Sequence, residues 1–261
     1  MSERFMAMAG LKMKKPSLNI EELSNEAIEL GGSVDFHIEP DEESEGVFPS
    51  VIRCNGFKFA VLFIDTPIPT NVLSDAYAES SLPWPDAHAE FGVHNSHIAI
   101  STVGSFGKRK EFLHAALTAT VILGAIVQIT DAVGVYWSGA EWLTPREDVL
   151  EAARAAGKGE PPVNQWIRLS LRPGRNAVGI FTYGLLPFAG REIEFPPNSS
   201  VNLDMMIDRV MNLSLYLVEQ GLVVQDKDTI GIDDKKQIRI TYGKSHFLPG
   251  TPVLILSVER I

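Results

Sequence analysis

Three groups of residues in this 261-residue chain have types and spacings that bear on chemistry. The first is GSFGKRK, residues 104–110, in which Lys108, Arg109 and Lys110 open a long apolar run. A helix N-terminus carries partial positive charge, so cations there cost about 0.3–1 kcal/mol each. An anion or an acidic side chain at that point offsets the cost. The loop is neither a Walker loop nor G-x-G-x-x-G: its glycines stand three apart, and no Ser or Thr follows the lysine.

The second group is His88, His94 and His97, with His114 further on. Zinc needs three or four convergent ligands with an ordered outer shell, and HExxH is absent. His88-Ala-Glu90 is similar to the opening of a zinc-deaminase signature, but that chemistry also needs Pro-Cys-x-x-Cys. The chain has one cysteine, Cys54, so neither that site nor a disulfide can be built. The third group is DKDTIGIDDKKQ, residues 226–237. Aligned as a calcium loop from Asp226, it places Asp228 third and Gly231 sixth. Ile230 then falls fifth and Gln237 twelfth, so two oxygen ligands fail. The segment reads as a polar turn before a strand. G-x-S-x-G is missing, and adjacent carboxylates such as Asp233-Asp234 point to opposite faces of an extended chain. No catalytic residue, metal or cofactor is assigned.

The elements that position these residues follow from periodicity and punctuation. Residues 18–30 have helical spacing and end at Gly31-Gly32. The acidic run Glu39 to Glu45 reads as a solvated loop. Asn55-Gly56 marks a hairpin over 47–54 and 57–65, with Cys54 packed in its first strand. A short helix and irregular chain follow over 71–95. HIAISTV (97–103), a helix over 108–128 and DAVGVYW form a βαβ unit, whose strands should run parallel with a right-handed crossover. A helix at 145–156, strands in QWIRLSL, VGIFTYGL and REIEFP, a helix ending at Gly221, and two closing strands complete the chain. The fold class is α+β: one mixed sheet with helices mainly on one face. Residues 1–45 are expected to be an appendage to a single domain, 46–261.

This architecture puts Gly104–Gly107 and Trp137–Glu141 at the carboxyl end of the parallel strands, where open sheets bind ligands. The candidate ligand site is therefore Lys108, Arg109, Trp137, Ser138 and Glu141. His97 lies at the other end of its strand and cannot share it. Tyr136 and Trp137 point to opposite faces, so one belongs to the core.

A net charge of −10 excludes a general nucleic-acid binder and suits a basic partner. The uncharged run 112–130 approaches membrane-spanning length, but its polar residues and alanines suit a buried helix better, and no membrane insertion is expected.

TPIP (66–69), HNSHIAIS (94–101), AVGVYWSGA (132–140), FTYGL (181–185) and DKDTIG (226–231) together resemble the bacterial family called domain of unknown function 4261. The resemblance runs from about residue 58 to the C-terminus. It departs at Lys227, where a glycine (DGDTIG) is expected. It implies a cytoplasmic protein and supplies no catalytic residues to carry over. Association of related domains with secreted toxins implies a partner-binding or immunity role, with a basic toxin as partner. The expected function is a non-enzymatic protein-binding module. The alternative is an enzyme or sensor for a small anionic ligand at the carboxyl end of the βαβ unit.

Overall fold

The computed structural model describes residues 4–13, 18–31, 36–40, 51–80, 83–198, 202–233 and 236–260. Most of the acidic run Glu39 to Glu45, and the 47–50 part of the first hairpin strand, lie outside the described residues. The chain divides into two compact units, Met1–Gln165 and Trp166–Ile261.

The first unit contains β1 (Met6–Leu11), α1 (Ile20–Gly31), β2 (Glu39–Pro40), β3 (Val51–Cys54), β4 (Phe57–Ile64), α2 (Thr70–Ser80), α3 (Ala87–Phe91), β5 (Ser96–Val103), α4 (Arg109–Ile129), β6 (Ala132–Trp137), β7 (Trp142–Pro145) and α5 (Arg146–Gly157). Its seven strands lie in the order β2-β3-β4-β5-β1-β6-β7. The β3–β4 turn has Asn55 at φ 51° and Gly56 at φ 78°, the double positive φ that Asn-Gly supplies. Cys54 is buried at the end of β3, and burial pushes its thiol up to about 12.

β1 corrects the sequence reading most. It pairs antiparallel with β5 on one side and with β6 on the other. β5 and β6 are thus parallel to each other, as expected, but separated by a strand drawn from residues taken for an appendage. MAMAGL has few residues that favour strands, which is why it escaped notice. Its small residues are required by position. Ala7 and Ala9 are wholly buried, and a Cβ at Gly10 would stand 2.9 Å from the Phe91 ring.

α4 packs on β1, β5 and β6 and is flanked by α1 and α5. By length and composition it could cross a membrane, yet 83% of its apolar window is buried inside the protein. Its last carbonyls are satisfied by one side chain. Arg146, at the start of α5, donates to the carbonyls of Val127, Gln128, Thr130 and Ala132. The opposite sheet face is half covered: α2 and α3 enclose a cluster with Trp84, Phe91, Tyr136 and Leu143. Tyr136 and Trp137 are therefore both core residues, one on each face.

The second unit contains the end of α6 (Val163–Trp166), then β8 (Arg168–Pro173), β9 (Val178–Tyr183), α7 (Leu186–Ala189), β10 (Glu192–Phe195), α8 (Leu203–Gln220), β11 (Thr229–Asp233), β12 (Lys236–Lys244) and β13 (Pro252–Arg260). The order is β11-β12-β13-β10-β9-β8, and β10 and β13 pair in parallel in an otherwise antiparallel sheet. The expected single mixed sheet is thus two sheets, of which this one is mixed. α8 is capped by Asn202, whose side chain accepts from Met205 N at 2.9 Å, and ends at Gly221 with φ 82°.

α4 and α5 cross where side chains are absent. A Cβ on Gly124 would lie 2.3 Å from Ala153 Cβ. Gly124→Val should therefore destabilise the first unit by about 1–3 kcal/mol through overpacking. Thermal unfolding of the full chain checks this, and an unchanged midpoint would show that the helices separate freely.

Candidate binding surfaces

The sequence-derived site is split by β1. Gly104–Gly107 and Ser138 do emerge at one end of the sheet, but Phe5, just before β1, lies between them. Phe5 N donates to Thr102 Oγ1 at 3.1 Å, and its ring meets Trp137 edge-on at 5.9 Å. Trp137 is 2% exposed, with its indole N–H donating to Thr144 Oγ1 at 2.8 Å. It presents no wall to a ligand. Ser138 N donates to Met6 O at 3.2 Å, and its buried Oγ has no hydrogen-bond partner. Glu141 is exposed with φ 53°, in the tight link from β6 to β7. Lys108 is exposed at the N-cap of α4, and Arg109 is half-buried. Glu111, one turn in, accepts from Gly107 N at 3.1 Å, so an acidic side chain already sits at this helix start.

The histidines serve the chain itself. His94 Nε2 accepts from Ile68 N at 2.9 Å while its Nδ1 lies 2.6 Å from Phe91 O, and His97 Nδ1 is 2.8 Å from Thr66 O. TPIP and HNSHIAIS therefore hold each other. Burial lowers the pKa of both rings, which favours the neutral form that His94 needs in order to accept.

Among the described residues, no helix packs over the β4–β5 part of the other sheet face, where several apolar side chains are exposed. Register puts Met6, Ser101 and Ala60 in one cross-strand row, Met8, Ala99 and Leu62 in the next, and Ile64 opposite His97. Met6 is 38% exposed, Leu62 47%, Ile64 36% and Val103 43%. Ala99 and Ser101 of β5 stand between residues of β1 and β4 in these rows. Alternation normally makes a solvated antiparallel face polar. This one is not.

In the second unit two buried carboxylates on β10 tie down two loops. Glu192 accepts from Thr182 Oγ1 (2.7 Å) and from the backbone N–H groups of Gly184 (3.1 Å), Leu185 (3.2 Å) and Leu186 (2.9 Å). Glu194 accepts from Ser245 Oγ at 2.6 Å and His246 N at 3.0 Å, and lies 2.5 Å from His246 Nδ1. Its side chain is fully buried, while that of His246 is 67% exposed. A carboxylate orienting an imidazole is one half of a general-base arrangement. Here Ser245 Oγ is engaged by Glu194 and by the amides of Phe247 and Leu248, so it is a loop cap rather than a nucleophile. Neither glutamate stood out in the sequence, where REIEFP reads only as a strand. Two acids at i and i+2 in an otherwise apolar strand were the available signal.

At the far edge of that sheet, Arg209, Asn212, Leu213 and Tyr216 of α8 face Ile230, Ile238 and Leu256 across a groove of about 250 Å³. The DKDTIG segment, which was read as a turn before a strand, itself enters strand β11 at Thr229. Asp226 Oδ1 accepts from Tyr242 N at 2.8 Å and Asp228 Oδ2 from Gln225 N at 2.7 Å. Lys227 between them has φ 75°, a left-handed conformation that glycine adopts without strain.

Residues 181–257 match the family described as Domain of unknown function (DUF4261). That span holds FTYGL and DKDTIG; TPIP, HNSHIAIS and AVGVYWSGA lie outside it, so the match is shorter than the resemblance suggested. No curated protein and no solved structure matches the chain.

Two outcomes are expected from this geometry. Burial raises the Glu192 carboxyl from its ordinary 4.5 to about 7, against the opposing pull of its four donors. The folded state then holds this proton more tightly than the unfolded chain. Its contribution is complete below the unfolded value and is lost as pH rises through about 7, a change of a few kcal/mol. Chemical denaturation from pH 5 to 8 should show a shallower decline for Glu192→Gln than for the parent; identical slopes would refute the assignment. Separately, Lys227→Gly should raise stability by roughly 0.5–1 kcal/mol, the relief of left-handed strain less the chain entropy of glycine. The bonds from Lys227 N to Ile240 O and from Arg239 to Lys227 O are to backbone atoms and survive the change.

Proposed function

We propose that this member of the DUF4261 family, by its residues 181–257, is a non-enzymatic protein-binding module whose partner is a basic protein. The observation that carries the reading is the uncovered half-face of β4, β5 and β1, with Met6, Leu62, Ile64 and Val103 exposed on one sheet surface. Exposed apolar side chains gathered on one face mark interaction sites, and Lys58, which pairs with Val103, and Arg53 border them on the same face. Charge supplies the rest. Residues 1–165 hold 23 of the 33 carboxylates against 12 of the 23 cations, while residues 166–261 hold the remaining 10 and 11. The unit with the open face thus carries the whole excess of negative charge, which draws a cationic partner before apolar contact forms. A toxin-neutralising immunity protein is the special case in which that partner is a basic toxin.

The alternative, a small-anion site at Lys108, gains nothing from the enclosed Trp137 and the Glu111 carboxylate at the helix start.

The full chain should capture a stoichiometric basic protein from lysate of its own cells. Leu62→Lys with Ile64→Lys should reduce that capture at least tenfold, and Lys108→Gln with Arg109→Gln should leave it intact. Capture that ignores Leu62 and Ile64 would remove the open face from the account. A phosphorylated or carboxylated metabolite recovered without any protein would replace the reading with the ligand site.

A further inference from the structure

α2 contributes Leu73 and Ala76 to the buried cluster with Trp84, Tyr136 and Leu143, and its two ends are held by different means. At the C-terminal end Ser80 Oγ accepts from Leu143 N at 2.9 Å, and Ser80 O accepts from Trp84 N at 2.9 Å. The N-terminal end is tied through the strap that leads into it from β4, residues 65–69. Ile68 is 3% exposed, and its N–H donates to His94 Nε2 at 2.9 Å. Pro67 and Pro69 have no amide hydrogen, so this is the only N–H between Thr66 and Thr70.

The geometry fixes the protonation of the His94 ring. Nδ1 lies 2.6 Å from Phe91 O and must donate to it, while Nε2 must be bare to accept from Ile68. A second proton goes only on Nε2, where it meets the Ile68 amide hydrogen. Two donors then face each other, and a buried N–H is left without an acceptor. His97 differs, because its Nδ1 donates to Thr66 O in either charge state.

On the elements packed around the ring, the titratable and charged groups are His97, Asp65, Tyr77, His88, Glu90 and Lys12. Of these, His97 acts on the ring, and its charge opposes a second one. Glu90 is turned to Trp84 Nε1 at 2.9 Å, and the His88 ring lies 4.7 Å from that of Tyr77. Asp65 and Lys12 are exposed. Among the described residues, no carboxylate is paired with this imidazole.

We propose that His94 is the acid-released latch of a lid formed by residues 65–80, hinged at Ser80: protonation of the ring frees Ile68 and lets α2 lift from the sheet while α4 and the strands stay folded. Closed, the lid keeps His94 at 6% exposure, and burial lowers the pKa of the ring from the ordinary 6.5. Open, the ring meets water and returns toward that value. The open form therefore holds the proton more tightly. Opening is favoured as pH falls below 6.5 and is indifferent to pH well above it. Lifting α2 bares Tyr136 and Leu143 on the same sheet face that exposes Met6 and Leu62. The latch does not rest on the binding-module reading, since its readouts involve no partner.

The test is amide exchange of the full chain, residue by residue from pH 7.5 to 5, expressed as protection after correction for the intrinsic rate. Protection at Ile68 and at Leu73 to Tyr77 should fall about tenfold between pH 7 and 5, while Ala115 to Val127 of α4 hold theirs. In His94→Gln the side-chain oxygen accepts from Ile68 without titrating, so the same amides should keep one level of protection throughout. His97→Asn should respond to pH as the parent does. At pH 7.5 the ring nitrogen shifts of His94 should show Nδ1 protonated and Nε2 bare. The opposite tautomer would overturn the latch. So would flat protection at Ile68 and α2 in the parent, or a pH response that persists in His94→Gln. A loss that takes α4 with α2 would also overturn it, because that is unfolding of the whole unit. The tautomer and the parent's exchange pattern need no variant, so a misfolded His94→Gln does not shield the proposal.

Discussion

The insertion of β1 between β5 and β6 is the constraint on which the first unit depends. β5 and β6 run in the same direction because α4 returns the chain across the sheet, and without β1 each would lack a neighbour on its inner edge. β1 supplies both ladders at once. Its position between α4 on one face and Phe91 on the other then dictates alanine and glycine where a strand would ordinarily favour branched residues. The same insertion decides the fate of the sheet's carboxyl end. In an open parallel sheet the crevice between diverging loops collects ligands. Here Phe5 fills that position and shuts Trp137 into the core.

The second unit solves a different problem. Its β9 and β12 strands run out into loops whose backbone amides need acceptors, and β10 provides them from within. Glu192 takes three amides and a hydroxyl, while Glu194 takes a hydroxyl, an amide and an imidazole. Full burial of a carboxylate is tolerated only with such a shell of donors. The two acids therefore belong to the fold's internal satisfaction of polar groups. This also separates the His246 pairing from catalysis: its carboxylate is already committed to holding the loop, and the hydroxyl beside it is turned inward.

Elements with strong local chemistry were legible in the sequence. Asn55-Gly56 specified its hairpin, the uncharged run specified α4 as a buried helix, and Asn202 and Gly221 bracket α8 as caps should. Elements defined only by tertiary neighbours were not. β1 has weak strand propensity, β7 ends in a proline, and β11 (TIGID) is short, holds a glycine and follows a polar DKD that reads as a turn. The candidate site suffered for the same reason. Lys108, Ser138 and Glu141 do reach one end of the sheet, but nothing in the local sequence says that a strand from residue 6 passes between them. The glycine expected at Lys227 came from the family resemblance, and the left-handed φ there gives its physical reason. The exposed apolar side chains of β1, β4 and β5 were hidden because alternation alone cannot say which part of a sheet face the helices cover.

Both candidate surfaces arise from incomplete coverage of a sheet. α2 and α3 together reach across β1, β6 and β7 but not across β3, β4 and β5, and β11 receives a strand on only one side. Enzymes generally enclose reacting groups, because a low-dielectric pocket strengthens every charge interaction inside it. In the second unit Glu192 and Glu194 with their donors are buried and mutually satisfied, whereas in the first Lys12, Glu90, Asp131, Arg146 and Glu147 line an open cavity of about 580 Å³. Among the described residues, the apolar side chains exposed on β1, β4 and β5 and the outer edge of β11 are the parts of the two sheets that no further element covers.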